Sequence, residues 1–519
     1  MSLVQTSKTL EAVNLSPTAR HPWVRAAALG ILLLIALAFY PFLYKTAPPD
    51  TTQDIYTFQP FLGLWIISFL PYFAACALVL ATRPAQGRWR WIELSIILVG
   101  AFILRALLLP LPPGFSRDSW RYLWDARVTL HGFSPYVYRP ISYPLKSLID
   151  NVLFPRMRFR FSPTIYPPGA QAVFLLSYLL AGSNLYFLKG IFLIFDMVTC
   201  GALVVYLRRK GLDPRRALIY AWCPLPVIEF AVQGHVDVIS LTFSILALLS
   251  FSNSTLRGRI LTGFLLGMAA LTKIYPILLL VVVVPDMLRD AMEREKRTVR
   301  FLRAIPRTIR HIRGRDYALL GACLLTVLLG YLPYYIMGHG QVLGYFTIYS
   351  SEQGENAGIV QLLMQWTSHA YKWGYQTTVA REHLVALLFI IAVSLGVFVL
   401  RLRQRMSMAM AALLLYAAIL AISPHVFSWY TTVLLLWVPL LIRPLWKARR
   451  FVGSALGVAV VWYVISVSLL QYYDTSGPHH YVPDWTSFYM LTYWPTTIIL
   501  IIAAIVGVKN MVSERVQKL

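Results

Sequence analysis

Apolar runs of about 20 residues, the length a helix needs to cross a bilayer, recur along this chain between short polar breaks. They predict helices near 24–44, 61–81, 91–111, 186–207, 215–232, 236–252, 259–273, 275–288, 317–337, 383–400, 407–423, 426–442, 452–470 and 488–508, about fourteen in all. The first run is longer than a signal-peptide core and no small-residue cleavage pattern follows it, so it reads as a retained span. A further apolar stretch, from Tyr166-Pro167-Pro168-Gly169-Ala170-Gln171 through Gly182, is short for a span. Opened by its proline pair, it reads as a helix that re-enters the bilayer or lies on its outer surface. The pattern is that of an all-α polytopic membrane protein.

Composition agrees. The chain has 519 residues, of which 58% are hydrophobic and 13% charged, against about 45–50% apolar in soluble domains. A net charge of +25 would point to nucleic acid in a soluble protein. Here Lys and Arg gather in short loops between apolar runs, where they set orientation, and no nucleic-acid partner is expected. The clusters at Arg83/Arg88/Arg90, Arg208/Arg209/Lys210/Arg215/Arg216, Arg257/Arg259, Arg289 to Arg315, Arg401/Arg403/Arg405 and Arg443/Lys447/Arg449/Arg450 all fall on one side if the 166–182 stretch does not cross. That side is the cytoplasm. The expected organisation is then a cytoplasmic tail at 1–23, a membrane domain at 24–508 and a cytoplasmic tail at 509–519, with outer loops at 112–185 and 338–382. The 289–316 segment, basic with scattered apolar residues, reads as an amphipathic stretch on the cytoplasmic leaflet. Cys76, Cys200, Cys223 and Cys323 all lie in apolar runs without Cys-x-x-Cys spacing, which supports neither a disulfide framework nor a zinc site.

This topology sends the polar interruptions to the outer face. Asp118 follows the 91–111 run, in Gly114-Phe115-Ser116-Arg117-Asp118-Ser119-Trp120-Arg121-Tyr122. An acid at a membrane surface is costly unless used or paired, and its position points to an enzyme acting on a lipid-borne substrate. Asp118, Arg121 and Asp125 share one stripe of a helix, so Arg121 can pair with either acid. Gln233-Gly234-His235-Val236-Asp237 is a polar break between two apolar runs, suited to a metal, a sugar, an acceptor pocket or an ordinary turn. Lys273, before Tyr275-Pro276, either snorkels to headgroups or meets an anion. In Ser423-Pro424-His425-Val426-Phe427-Ser428-Trp429-Tyr430, a histidine that can donate to phosphate sits beside aromatics whose faces suit sugar C–H surfaces or the membrane interface. Glu352, Glu355, Asn356 and Gln361 of the second outer loop are placed to cap the site or to be solvated.

Taken in order over roughly residues 90–430, five of these elements resemble the C-type (GT-C) membrane glycosyltransferases: Arg117 to Arg127, the Gly132 to Tyr136 exit, Tyr166-Pro167-Pro168-Gly169, Gly234-His235-Val236-Asp237 and Leu271-Thr272-Lys273. The chain looks closest to the bacterial polyprenyl-phosphate-mannose-dependent mannosyltransferases. The resemblance implies a bundle of about 12–14 transmembrane helices with outer-face juxtamembrane helices, in a bacterial plasma membrane, with the active site on the extracytoplasmic face. It implies inverting transfer of a hexose, mannose first among them, from a polyprenyl-phosphate sugar to a hydroxyl of a lipid- or glycan-linked acceptor. Asp118 would be the general base. Arg117, Lys273 and His425 are the candidates for the donor phosphate. Trp120, Arg121, Tyr122, Asp125, Tyr166, His235, Asp237 and Trp429 are the candidates for sugar and acceptor. Relatives often carry two adjacent acids where this chain has Arg117-Asp118. A lone acid beside arginine suits a divalent cation poorly, so no metal and no cofactor are expected. Two other readings fit parts of the pattern: a flippase or transporter of lipid-linked saccharide, and an oligosaccharide ligase or polymerase. The transporter reading lacks a half-repeat and midplane charges.

Overall fold

A computed structural model describes residues 22–47, 59–251, 255–294, 314–352, 356–372, 374–444, 451–476 and 490–502. Both tails, most of the basic 289–316 segment and Glu355 lie outside the described residues. The described chain is all helix with no strand. Among the described residues, five helices are long and apolar enough to cross a membrane, Pro22–Thr46, Pro60–Ala81, Leu185–Arg209, Tyr317–Met337 and Gln376–Leu402, and six shorter apolar helices accompany them.

The elements that position the site are α1 (Arg88–Ala106), α2 (Asp118–Leu130), α3 (Pro168–Ala181), α4 (Leu185–Arg209), α5 (Asp237–Ser250) and α6 (Leu256–Thr272). Further along come α7 (Leu280–Arg294), α8 (Gly314–Met337), α9 (Tyr375–Leu402), α10 (Met408–Ile422) and α11 (Ser428–Leu435). Helix α3 begins as its sequence dictates: Pro167 is extended and Pro168 takes the first turn, where its missing N–H costs nothing. Gly169 then lets α3 sit directly on the end of α6, since a Cβ there would lie 2.8 Å from the Leu271 Cβ.

The expected single helix at 215–232 is instead a chain of short turns: a 3-10 turn at Pro214–Ala217, a turn at Leu218–Ala221, another at Pro224–Pro226 and a π-helical turn at Val227–Val232. The cause is local. Pro224 holds Cys223 extended (ψ 125°), because a residue before proline is pushed out of the α region. The expected helix at 426–442 likewise breaks between α11 and the Val438–Leu441 turn. At 275–288 the chain opens as a 3-10 turn, Tyr275–Leu279, containing Pro276.

Several charges that read as loop signals or as span interruptions are buried ion pairs. Arg105 of α1 meets Asp196 of α4 at 2.6 Å, with the Tyr220 hydroxyl donating to the same carboxylate at 2.8 Å. Arg215, counted above among the loop cations, is 2% exposed and bridges Glu93 at 3.1 Å and Asp213 at 2.8 Å. Such pairs add little net stability but are costly to break, so they fix the register of the helices that carry them.

Candidate active site

The approach to Asp118 is held from outside its own segment. The buried Lys189 ammonium of α4 donates to the carbonyls of Leu109 and Leu111 at 2.6 and 2.7 Å. Gln233 Oε1 accepts from the Phe115 and Ser116 amides, both at 3.1 Å. Gly234 makes this crossing feasible: its φ is +71°, and a Cβ would lie 3.1 Å from Lys189 and 3.3 Å from Ser119. The glycine is thus set by its close approach to Lys189 of α4 and Ser119 of α2, beyond its service as a turn.

Asp118 opens α2, where a carboxylate is favoured by the helix dipole. Its amide donates to Ser116 Oγ at 3.3 Å, and the Tyr166 hydroxyl donates to its Oδ2 at 3.4 Å. Burial pushes the carboxyl above the ordinary carboxylate range; Arg158, Lys273 and the Tyr166 hydrogen bond pull it back, and Asp237 adds to the rise. The residue nevertheless keeps partial exposure. A carboxylate raised towards neutrality and still accessible is the form a general base takes.

Lys273 caps the C-terminus of α6 in extended conformation. Its ammonium lies 3.2 Å from Asp237 Oδ1, 5.6 Å from the Tyr166 ring centre and 5.0 Å from that of Tyr430. The lysine is 15% exposed and the aspartate 3%. Of the two readings open for Lys273, the geometry favours a cation aimed into the protein over one snorkelling outward.

Beyond Tyr430 the 338–382 loop closes in. The Tyr430 and Tyr349 hydroxyls are 3.1 Å apart, and the Tyr345 amide donates to the Thr164 carbonyl at 3.0 Å, tying the 338–382 loop to the 112–185 loop. His425 Nε2 lies 3.0 Å from Glu352 Oε2, and Nδ1 lies 2.9 Å from Asn356 Oδ1. Asn356 Nδ2 donates to the Val426 carbonyl, which turns its Oδ1 towards the imidazole. Both ring nitrogens are therefore engaged within the protein. Tyr345 also donates to Glu352.

Several expected site residues are placed as support. Arg121 pairs with Asp125 at 2.7 Å and leaves Asp118 to others; its guanidinium also donates to the carbonyls of Phe159 and Ser162. Asp125 is 1% exposed and accepts in addition from Gln171. Tyr122 is buried, stacked on Phe174 at 4.3 Å and edge-on to Tyr166 at 4.8 Å. Trp120 is buried beneath the Arg156 guanidinium at 5.4 Å. Arg117 stands at the N-cap of α2, partly exposed, and its side chain makes no capping bond.

His235 is enclosed. Its amide donates to the Glu229 carbonyl at 3.0 Å, and its Nε2 lies 3.4 Å from the Glu229 carboxylate. Burial, then Lys273, hold the imidazole well below its usual range, so the ring is neutral. It stacks on Trp429 at 3.8 Å, and Phe427 stacks on Trp429 at 4.7 Å. Two parallel rings at those separations cannot share one face of the indole. Both faces of Trp429 are thus covered, which corrects the expectation that a face is presented to a sugar; its edge is what remains. Trp429 is partly exposed all the same.

Four participants escaped the sequence reading. Arg158 and Tyr349 sit in long loops with no local signal, and Tyr430 reads equally as an interfacial aromatic. Glu229, within an apolar run, did give one: an acid in a span is functional by default. It accepts from the Ser428 hydroxyl at 2.5 Å and fastens the π-turn to the start of α11. Among the described residues, no group of three or more His, Cys, Asp and Glu could hold a metal ion.

No curated protein matches the chain. Residues 76–289, which include Asp118, His235, Asp237 and Lys273, match a family model described as alpha-(1->6)-mannopyranosyltransferase, N-terminal domain, a GT-C mannosyltransferase family, and the protein is accordingly a membrane glycosyltransferase.

Proposed function

We propose that the protein moves mannose from a polyprenyl-phosphate donor to a hydroxyl of a lipid- or glycan-linked acceptor, at the extracytoplasmic face, with inversion to an α-mannoside. The observation that carries this reading is the accessible Asp118 carboxylate, raised by burial, next to the inward-aimed Lys273 ammonium. Asp118 takes the proton of the acceptor hydroxyl as the oxygen attacks the anomeric carbon. The bond from that carbon to the phosphate oxygen breaks, and the lipid phosphate leaves with the electron pair. Fixed positive charge lowers the barrier most where leaving-group charge develops. Lys273 supplies it, with Arg117 and Arg158 as nearby cations.

His425 joins them on one condition. Both its nitrogens are engaged by Glu352 and Asn356, so contact with phosphate requires the Glu352 carboxylate to give way. Tyr166 and the Trp429 edge are the groups left to meet the sugar. Arg121, Asp125, Tyr122 and His235, all buried, act through the residues they position.

The experiment is incorporation of labelled sugar from synthetic polyprenyl-phosphate mannose, by wild type and Asp118→Asn at equal protein level. Transfer lost in the variant supports the enzyme mechanism. Movement of labelled lipid across vesicles without a new glycosidic bond would contradict it. Because lysine and arginine carry the phosphate, transfer is expected to persist in excess chelator; loss in chelator restored by Mg²⁺ or Mn²⁺ would place a metal in the step.

A further inference from the structure

The geometry points to a second binding site in this chain, far from Asp118, that takes the phosphate of an anionic lipid headgroup. A cavity of about 340 Å³ opens at the far end of α4, within the volume usual for small-ligand sites. Lys189 lies near the Asp118 end of α4, and Lys210 follows its other end. The 21 residues between them correspond to roughly 30 Å along a helix, so the two sites share no side chain.

The lining is cationic in excess. Arg401 of α9 forms the floor: its guanidinium donates to the carbonyls of Val282 and Met406 at 3.2 and 2.7 Å and to the Asp286 carboxylate. Arg289 also reaches Asp286, at 3.3 Å. Within the lining itself, Arg401 and Lys210 stand against one carboxylate, Asp286. Lys210 is the more accessible of the two cations. It is exposed, its ammonium rests over the Tyr206 ring at 5.6 Å, and it has no acidic partner among the described residues. On the same connection Arg216 is 3% exposed with its Nε unpartnered, so the positive surplus extends past the lining. The N-terminus of the 15-residue α10, capped by Ser407, faces the cavity and adds its dipole.

Charge alone selects a phosphate; the remaining walls select its carrier. Met408 and Leu440 line the same cavity as Lys210 and Arg401, pairing an apolar wall with a cationic mouth. A free phosphate has no use for that wall. The headgroup of an anionic phospholipid, with the start of its chains, fills both. Basic pockets between membrane helices are suited to such headgroups.

The test uses purified full-length protein and three probes: phosphatidylglycerol, phosphatidylcholine and inorganic phosphate. Native mass spectrometry is expected to show phosphatidylglycerol retained in preference to phosphatidylcholine. Lys210→Gln should lower that preference by about fivefold, the effect of one cation at an anionic headgroup, and Lys210→Glu, which reverses the charge, by more. Both should leave sugar transfer and the melting temperature unchanged. Millimolar phosphate that displaces the lipid and protects the protein by itself would keep the anion site and assign it to free phosphate. Equal retention of the two lipids by wild type, or a preference that survives both variants, overturns the site. Neither result depends on how Asp118 acts.

Discussion

Asp118→Asn is expected to reduce sugar transfer by about 10³-fold, within the usual range for loss of a positioned general base, without lowering the melting temperature at pH 7. The two halves of this result have one cause. Burial raises the Asp118 carboxyl above its ordinary range, so the folded protein holds that proton more tightly than the unfolded chain does. Ionising the group in the folded state therefore costs stability. The cost is absent below the ordinary carboxylate range and fully present above the raised one. Asparagine removes the charge and with it the cost at neutral pH, while also removing the base. The same shift sets the acid limb of the rate profile: kcat/KM should rise with pH through a midpoint above the ordinary carboxylate range. A melting temperature several degrees lower in the variant would instead mark Asp118 as a structural residue.

Lys273→Met is expected to weaken donor binding and to destabilise the fold together. Asp237 is 3% exposed and Lys273 is its nearest cation, at 3.2 Å. Removing the lysine leaves an ionised carboxylate in a buried position, and breaking a buried pair costs about 3–5 kcal/mol. The 15% exposure of Lys273 places the loss below that range, at about 2–3 kcal/mol, once solvent screening is allowed for. The double variant Lys273→Met/Asp237→Asn separates the roles. It should recover most of the stability, because no unpaired charge remains, and none of the donor affinity, because the phosphate has still lost its cation. Recovery of both would reduce Lys273 to a partner for Asp237.

Chemistry is most legible in the sequence where it lies at helix ends. Asp118, Asp237 and Lys273 each stand out as a polar residue closing or opening an apolar run, and the fold brings all three into one electrostatic neighbourhood. Apolar periodicity also located most helices to within a few residues. It failed at 215–232, where Pro224 and Pro226 divide a run that hydrophobicity alone reads as one span. There the buried surroundings of each short turn, rather than its own hydrogen-bond ladder, hold it in place.

Side-chain roles were less legible because partners far apart in sequence decide them. Arg121 could meet either acid on its stripe, and Gln171 with the 159–162 backbone draws it to Asp125. Trp429 reads as a sugar platform until His235, nearly two hundred residues earlier, is seen to cover one face. His425 reads as a phosphate donor until Glu352 and Asn356 are seen to occupy both nitrogens. In each case the residue type was informative and the competing contact was not visible in the local sequence.

The proposed mechanism rests on a lipid-phosphate donor activated at the Asp118 and Lys273 site. It is tested most directly by giving the purified protein labelled mannose on synthetic polyprenyl phosphate in one reaction and on a nucleotide diphosphate in another, with the same acceptor extract. An α-mannoside is expected from the polyprenyl phosphate alone, and none with Asp118→Asn. Product formed from the nucleotide sugar, or transfer from the lipid donor that Asp118→Asn leaves intact, would contradict it.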